Sequence, residues 1–160
     1  MRDHPDSRLD IFLTLIVVII IVIADRVTKV LLASLLDIGE TLPVIPNILH
    51  FTLVHNTGIA FGLFKDQGIV FIIIPLIAVG LLIFNIYYFR NNREKLSRVY
   101  LISFSLILGG AIGNLIDRIR FGHVIDFIDF QIWPVFNIAD SAITIGAILI
   151  LFQCIPRSAR

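Results

Sequence analysis

Four apolar segments divide this chain, and each is long enough to cross a lipid bilayer as a helix. They cover residues 11–36, 69–89, 99–117 and 134–155, to within a residue or two. Spanning roughly 30 Å of hydrocarbon takes about 20 helical residues, and a helix satisfies its own backbone hydrogen bonds where water is absent. The residues are 58% hydrophobic and 16% charged, against about 25% charged in soluble domains. We therefore predict an α-helical polytopic membrane protein with four transmembrane helices, forming a single domain over 1–160.

The first apolar segment also has the length of a signal peptide, and Val22-Ile23-Ala24 has the small-residue character of a cleavage site. Two features favour a retained helix. The preceding residues mix both signs of charge, and apolar character resumes after Lys29.

Positive charge is distributed unequally among the links between the segments. The link 90–98 carries four Lys and Arg residues and each terminus carries two more, whereas 37–68 and 119–133 contain only Lys65 and Arg120. Because cytoplasmic loops are enriched in Lys and Arg, we expect both termini in the cytoplasm. The insert 37–68 and the loop 118–133 are then expected at the outer face.

The insert 37–68 does not have a helical pattern. Pro43 and Pro46 interrupt it early, and from Leu49 to Val54 apolar and polar residues nearly alternate. Alternation of this kind predicts a short half-buried strand, and Asn56-Thr57-Gly58 predicts a turn after it. The insert is predicted to be a small β-containing unit at the membrane surface.

Asp140 lies at the start of the fourth apolar segment, and Asp126 lies 14 residues before it. A charge at the centre of a membrane helix costs about 2.5–3.5 kcal/mol, so Asp140 is expected to have a function. Asp126 has an alternative reading as a solvated loop residue, and Asp129 competes with it for any role in chemistry. Two carboxylates near one membrane edge are typical of acid–base chemistry.

Asparagine accompanies aspartate at two predicted helix ends. Asn114 and Asp117 are three residues apart, as are Asn137 and Asp140, so each pair shares a helix face. Asp117 with Arg118 also fits a charge pair at a helix end. Arg118 has two open roles, orienting substrate carbonyls or holding the following loop.

Other polar residues fit structural roles better than catalysis. Asp25 and Lys29 are four apart and predict an ion pair that neutralises both. A Ser-Lys hydrolase built from Ser141 and Lys29 is disfavoured, because Ser141 points about 100° around the helix from Asp140. The chain has one cysteine and lacks a His-Glu-x-x-His motif, so neither a metal nor another cofactor is expected.

Taken together, these motifs resemble the lipoprotein signal peptidases, also called signal peptidase II, a family of bacterial membrane aspartic proteases. The likeness runs in order from about residue 11 to 152. Its four blocks are DRVTK at 25–29, NTGIAFG at 56–62, GNLIDR at 113–118 with GHVIDF at 122–127, and FNIADS at 136–141. One departure is Arg26, where many members have Gln.

The resemblance implies a role for each of the polar positions. The catalytic pair would be Asp126 and Asp140, and Asp25 with Lys29 would be a structural polar pair. Support for the catalytic pair or for substrate binding would come from Asn56, Gly58, Asn114, Asp117, Arg118 and Asn137.

The activity implied is removal of the signal peptide from diacylglyceryl-modified prolipoproteins, by cleavage before the lipidated cysteine. The resemblance further implies a monomer in the bacterial cytoplasmic membrane, in contact with membrane lipids. Its active site would lie near the outer face, with inhibition by globomycin and no nucleic-acid partner.

The alternative is a small proton-coupled transporter or channel subunit, since intramembrane Asp, Asn and Arg also form proton relays. Transporter sites usually lie near the bilayer midplane, between repeats. Here the polar groups cluster toward one face and the sequence shows no internal repeat, which favours the peptidase. A purely structural membrane subunit leaves the Asn/Asp pairs unexplained.

Overall fold

The computed structural model describes residues 7–58, seven helical positions between 73 and 84, and residues 97–154. The second apolar segment, predicted over 69–89, therefore lies largely outside the described residues, as do residues 59–68 of the insert and the chain ends. The elements whose bounds are described are three helices and a small sheet.

Helix α1 spans Ser7–Leu35, α2 spans Arg98–Phe121 and α3 spans Ile138–Cys154. Both α1 and α2 are long and apolar enough to cross a membrane, with mean hydropathies of 2.6 and 1.9. At 29 residues, α1 is about 44 Å long, so it exceeds the hydrocarbon thickness. Only 11% of its most apolar stretch is buried inside the protein, so most of the surface of α1 is apolar and exposed.

Helix α2 packs against both other helices, and glycines make the close approach possible. A Cβ on Gly109 would lie 3.0 Å from the Ile21 side chain of α1. A Cβ on Gly146 of α3 would lie 2.7 Å from the carbonyl oxygen of Ser103. Small residues at such contacts let helix backbones approach closely, so both α1 and α3 pack tightly against α2.

Three antiparallel strands form the sheet, in the order β1-β2-β3. Strand β1 spans Thr41–Ile45, β2 spans Leu49–Asn56 and β3 spans Val124–Asp129. The insert thus has one strand more than the alternation predicts. Pro43 lies within β1, and this position is compatible with a strand because β1 is at the sheet edge.

The sheet rests on the end of α1 through a small apolar core. Leu32 and Leu36, at the end of α1 and just beyond it, pack with Leu53, Ile125 and Phe127 of the sheet. This core fixes β2 and β3 relative to α1.

Two boundaries differ from the sequence prediction. The stretch 118–133 is not a plain loop, because α2 continues to Phe121 and β3 follows directly. Gly122 makes the turn between them with φ = 76°, a left-handed conformation that glycine adopts without steric cost. The last helix begins at Ile138 rather than at Pro134, because the side chain of Asn137 caps it.

Candidate active site

Asp126 and Asp140 both line one cavity of about 530 Å³ where the sheet meets α2 and α3. Its walls combine the two carboxylates with amides, one guanidinium and a run of apolar residues. They are formed by Asn56, Gly58, Asn114, Arg118, Val124, Asp126, Phe130, Trp133, Pro134, Val135, Phe136, Asp140, Ser141, Ile143 and Thr144.

Asp140 is held in the first turn of α3 by a reciprocal cap. The backbone N–H of Asp140 donates to Asn137 Oδ1 at 2.9 Å, and the backbone N–H of Asn137 donates to Asp140 Oδ2 at 3.3 Å. This is the arrangement of a capping box, which satisfies two otherwise unpaired donors at a helix start. The cap places the Asp140 carboxylate at the N-terminus of a helix, where negative charge is stabilised.

The same asparagine also contacts the second carboxylate. Because Asn137 Oδ1 accepts the helix cap, its Nδ2 is free to donate, and it lies 2.7 Å from Asp126 Oδ1. It also lies 3.0 Å from Asn114 Oδ1. Asn137 is fully buried, and it links the two carboxylates directly.

Asp126 lies on strand β3 and is buried, with 2% of its surface exposed. Its Oδ2 accepts from Asn56 Nδ2 at 2.9 Å, and Asn56 is itself oriented by the Gly58 N–H, which donates to its Oδ1 at 2.9 Å. Burial, followed by the nearby Asp140 carboxylate, raises the pKa of Asp126 to about 7. Asp126 is therefore a carboxyl group that retains a proton near neutral pH.

Asp129 does not line the cavity, although the sequence leaves it as a competitor of Asp126. Three residues apart on a strand, the two side chains point to opposite faces. Asp129 instead accepts hydrogen bonds from the Thr52 hydroxyl and the Gln131 N–H, both at 2.7 Å. It has a structural role in holding the end of β3.

Asn114 and Arg118 bring α2 into the site. Asn114 Nδ2 donates to Asp140 Oδ1 at 2.7 Å, and its Oδ1 accepts from Lys29 Nζ at 3.2 Å. Arg118 lines the cavity and contacts the Asn114 carbonyl at a long 3.4 Å. Its guanidinium supplies positive charge beside both carboxylates.

A second set of polar residues adjoins the cavity through Asn114. We call it the ion cluster, and it consists of Asp25, Arg26, Lys29 and Asp117. Lys29 Nζ lies 2.8 Å from Asp25 Oδ2 and 2.8 Å from Asp117 Oδ2. Arg26 Nη1 lies 2.7 Å from Asp117 Oδ1. The pair expected from the spacing of Asp25 and Lys29 thus forms, and it extends to a second helix.

Other features of the site depart from what the sequence suggests. The sequence motifs do not identify Arg26 as part of the ion cluster, although it directly follows Asp25. The sequence motifs also do not identify the aromatic wall formed by Phe130, Trp133 and Phe136. The aromatic residues just before the last helix are the sequence feature that indicates it. Ser141 donates its hydroxyl to the Asn137 carbonyl at 2.9 Å, and Lys29 is occupied by carboxylates, which argues against a Ser-Lys hydrolase.

No metal centre is found within 7–58, 97–154 and the few positions described between them. In these residues, no group of three or more His, Cys, Asp or Glu side chains is placed to hold a metal ion. The polar side chains that line the described cavity are two carboxyl groups, amides, a guanidinium and the hydroxyls of Ser141 and Thr144.

A protein-family model described as signal peptidase (SPase) II matches residues 17–156. A lipoprotein signal peptidase of Halothermothrix orenii is 43% identical over 136 residues, covering 85% of this chain and 90% of the relative. One from Fusobacterium nucleatum is also 43% identical, over 150 residues that cover 92% and 87% of the two chains.

Solved structures agree with the sequence relatives. Two chains described as bacterial membrane enzymes, solved by the in meso method at 2.3 and 1.9 Å, superpose with TM-scores of 0.82 and 0.81. They are 34% and 36% identical, covering 94% and 92% of this chain and 95% and 96% of the matched chains. With this agreement in sequence and fold, the transporter alternative is not supported, and the chain belongs to the signal peptidase II family.

Proposed function

We propose that this chain is an aspartic endopeptidase that removes the signal peptide from diacylglyceryl-modified prolipoproteins, cutting before the lipidated cysteine. Its family and its relatives named lipoprotein signal peptidase support the reaction class. One observation carries the mechanism: Asp126 and Asp140 line one cavity and are joined through Asn137.

The surroundings of the two carboxyl groups differ, and this difference indicates which of them carries the shared proton. Asp126 is buried on a strand with a pKa raised to about 7 by burial and by the Asp140 charge. Asp140 lies at a helix N-terminus, which favours negative charge. We assign the proton to Asp126 and the negative charge to Asp140, so that the pair shares one proton.

This assignment gives a complete proton balance. Asp140 takes a proton from a water molecule, whose oxygen attacks the scissile carbonyl carbon while Asp126 protonates the carbonyl oxygen. When the C–N bond breaks, Asp140 passes its proton to the leaving amine. The hydroxyl of the intermediate returns a proton to Asp126, and both groups regain their starting states without a covalent enzyme intermediate.

Support for the pair and for substrate comes from the remaining cavity residues. The amides of Asn56, Asn114 and Asn137 hold the carboxyl groups, with Gly58 orienting Asn56. Arg118 provides a cationic donor toward a substrate carbonyl. Asp117 acts indirectly, because its Oδ2 accepts the Ile125 N–H at 3.3 Å and so holds strand β3.

The apolar wall suits a lipid-modified substrate. Phe130, Trp133 and Ile143 line the cavity, and the neighbouring Ile132 is 93% exposed. An exposed apolar side chain beside a site is typical of a surface that contacts lipid or another apolar partner. The diacylglyceryl chains can then stay in the bilayer while the peptide bond reaches the carboxyl pair.

The proposed setting is the bacterial cytoplasmic membrane, crossed four times by a single domain of residues 1–160. Both termini would lie in the cytoplasm, as the Lys and Arg distribution indicates, with the cavity near the outer face. We propose a monomer in contact with membrane lipids, inhibited by globomycin.

The test is cleavage of a diacylglyceryl-modified prolipoprotein by the purified protein in lipid, followed by a gel shift. Asp126→Asn and Asp140→Asn should each reduce kcat by at least about a thousandfold, because each removes one proton-transfer group. Asp129→Asn is the matched control and should cleave normally. Cleavage by a folded Asp140→Asn protein at the unaltered rate would refute the proposed pair.

A further inference from the structure

Two buried carboxylates outside the cavity each hold the backbone just before a cavity aspartate. Asp25 Oδ1 accepts the N–H of Ala139, the residue before Asp140, at 3.0 Å. Asp117 Oδ2 accepts the N–H of Ile125, the residue before Asp126, at 3.3 Å. Hydrogen bonds from the ion cluster thus hold both α3 and β3 in place at the cavity.

Lys29 joins these two anchors. Its Nζ lies 2.8 Å from Asp25 Oδ2 and 2.8 Å from Asp117 Oδ2, and the residue has no exposed surface. Its third contact is Asn114 Oδ1 at 3.2 Å. An ammonium group has three N–H donors, and all three are directed at groups that hold the site.

The contact with Asn114 also fixes the direction of an amide. An ammonium group can donate but cannot accept, so the oxygen of the Asn114 side chain must face Lys29. The Nδ2 group must then face the other way, where it donates to Asp140 Oδ1 at 2.7 Å. Lys29 and the Asn137 Nδ2 group, which donates to the same oxygen at 3.0 Å, together determine which group Asn114 presents to the cavity.

The charges of the ion cluster explain why Lys29 affects the distance between the anchored segments of α3 and β3. Two carboxylates, Asp25 and Asp117, are balanced by the cations Lys29 and Arg26. Without Lys29, the two anions would face each other in a buried region, where repulsion is strong. The anchored segments of α3 and β3 would then move relative to each other.

We propose that Lys29 is a positioning residue for the peptidase reaction, setting the separation of Asp126 and Asp140 through the two anchors and through Asn114. This inference rests on the proposed function. It differs from simple stabilisation, because it predicts a loss of rate in molecules that remain folded.

A charge-balanced double variant separates the two roles. Lys29→Met alone leaves an uncompensated buried anion and is expected to lower the melting temperature. Adding Asp25→Asn removes one anion, leaves Asp117 paired with Arg26, and retains an oxygen that can accept the Ala139 N–H. We expect the double variant to melt at a higher temperature than Lys29→Met.

The rate should not recover with stability. We expect kcat of the double variant to stay at least about 100-fold below the unaltered value, as a misplacement near 1 Å costs about that much. KM should change less than about threefold, because the cavity walls do not include Lys29. Ser34→Ala, on the exposed part of the same helix, is the control and should keep full activity.

Asp117→Asn provides a second variant of nearly unchanged volume, should the double variant fail to fold. It weakens the anchor of β3, and kcat should fall about tenfold with little change in KM. A folded double variant, or a folded Asp117→Asn protein, with unaltered kcat would overturn the role of Lys29. Failure of both the unaltered protein and Ser34→Ala to cleave the lipidated substrate would instead refute the proposed function.

Discussion

The cavity and the ion cluster each contain two carboxyl groups, yet they are neutralised in different ways. In the ion cluster, Asp25 and Asp117 are bonded to Lys29 and Arg26. In the cavity, Asp126 and Asp140 receive their hydrogen bonds from amides. Amides carry no formal charge. Arg118 lines the cavity, but its hydrogen bond goes to the Asn114 carbonyl, so we propose that a shared proton completes the neutralisation of the two carboxyl groups. The comparison teaches that the bonding partner, more than the aspartate itself, distinguishes a carboxylate with a structural role from one proposed for acid–base chemistry.

Among these predictions, replacing the Asn137 amide by a third carboxylate should have the largest effect on kcat. Asn137→Asp keeps an oxygen that can cap α3 but removes the Nδ2 donor to Asp126. Three carboxyl groups would then share the site without a bonded cation, and we expect kcat to fall at least about a thousandfold. The measurement is single-turnover cleavage, with the melting temperature recorded in parallel.

Asn137→Ser is the control for the helix cap, since serine caps about as well as asparagine. It lacks the amide but adds no charge, so its kcat should lie between those of the unaltered protein and Asn137→Asp. Equal rates for the two variants would show that the added charge has no effect and would contradict the comparison.

The pH dependence should show an effect of intermediate size. In the proposed mechanism Asp126 acts in its protonated form, and its pKa is raised to about 7 by burial and by Asp140. Above that pH the protonated fraction of the free enzyme, and with it kcat/KM, should fall about tenfold per unit. Asn56 donates a hydrogen bond that lowers this pKa, so Asn56→Leu should move the descending limb to higher pH. A limb that stays in place would show that another group controls it.

The smallest effect is expected at the rim of the ion cluster. The Arg26 side chain is 27% exposed, whereas Lys29 is fully buried. Arg26→Gln leaves Asp117 bonded to Lys29 and to the Ile125 N–H, so the free energy of unfolding should fall by only about 1 kcal/mol. Denaturant unfolding at low and high salt measures it, and the cost should shrink at high salt. A loss comparable to that of Lys29→Met would mean that the two cations are equivalent.

The apolar pattern predicted the described helices to within a few residues, because membrane helices depend on local hydrophobicity. The sequence does not predict strand β3, because its partner β2 lies far earlier in the chain and because six residues that include Asp126 and Asp129 do not alternate regularly between apolar and polar. The start of α3 was misplaced because a side-chain cap at Asn137 decided it. The spacing of Asp25 and Lys29 predicted their ion pair, but contacts to Asp117 depend on how α1 and α2 pack.

The bond between Asp25 and the Ala139 N–H joins residues 114 positions apart, which has a consequence for the order of biosynthesis. A chain made from its N-terminus inserts α1 long before α3 exists. Until the last helix has been synthesised and packed, Asp25 lacks this backbone donor and Asp126 lacks both Asn137 and Asp140. A chain translated only as far as Phe136 therefore cannot assemble the proposed acid pair, and the pair forms only after α3 has been made and packed against α1 and α2.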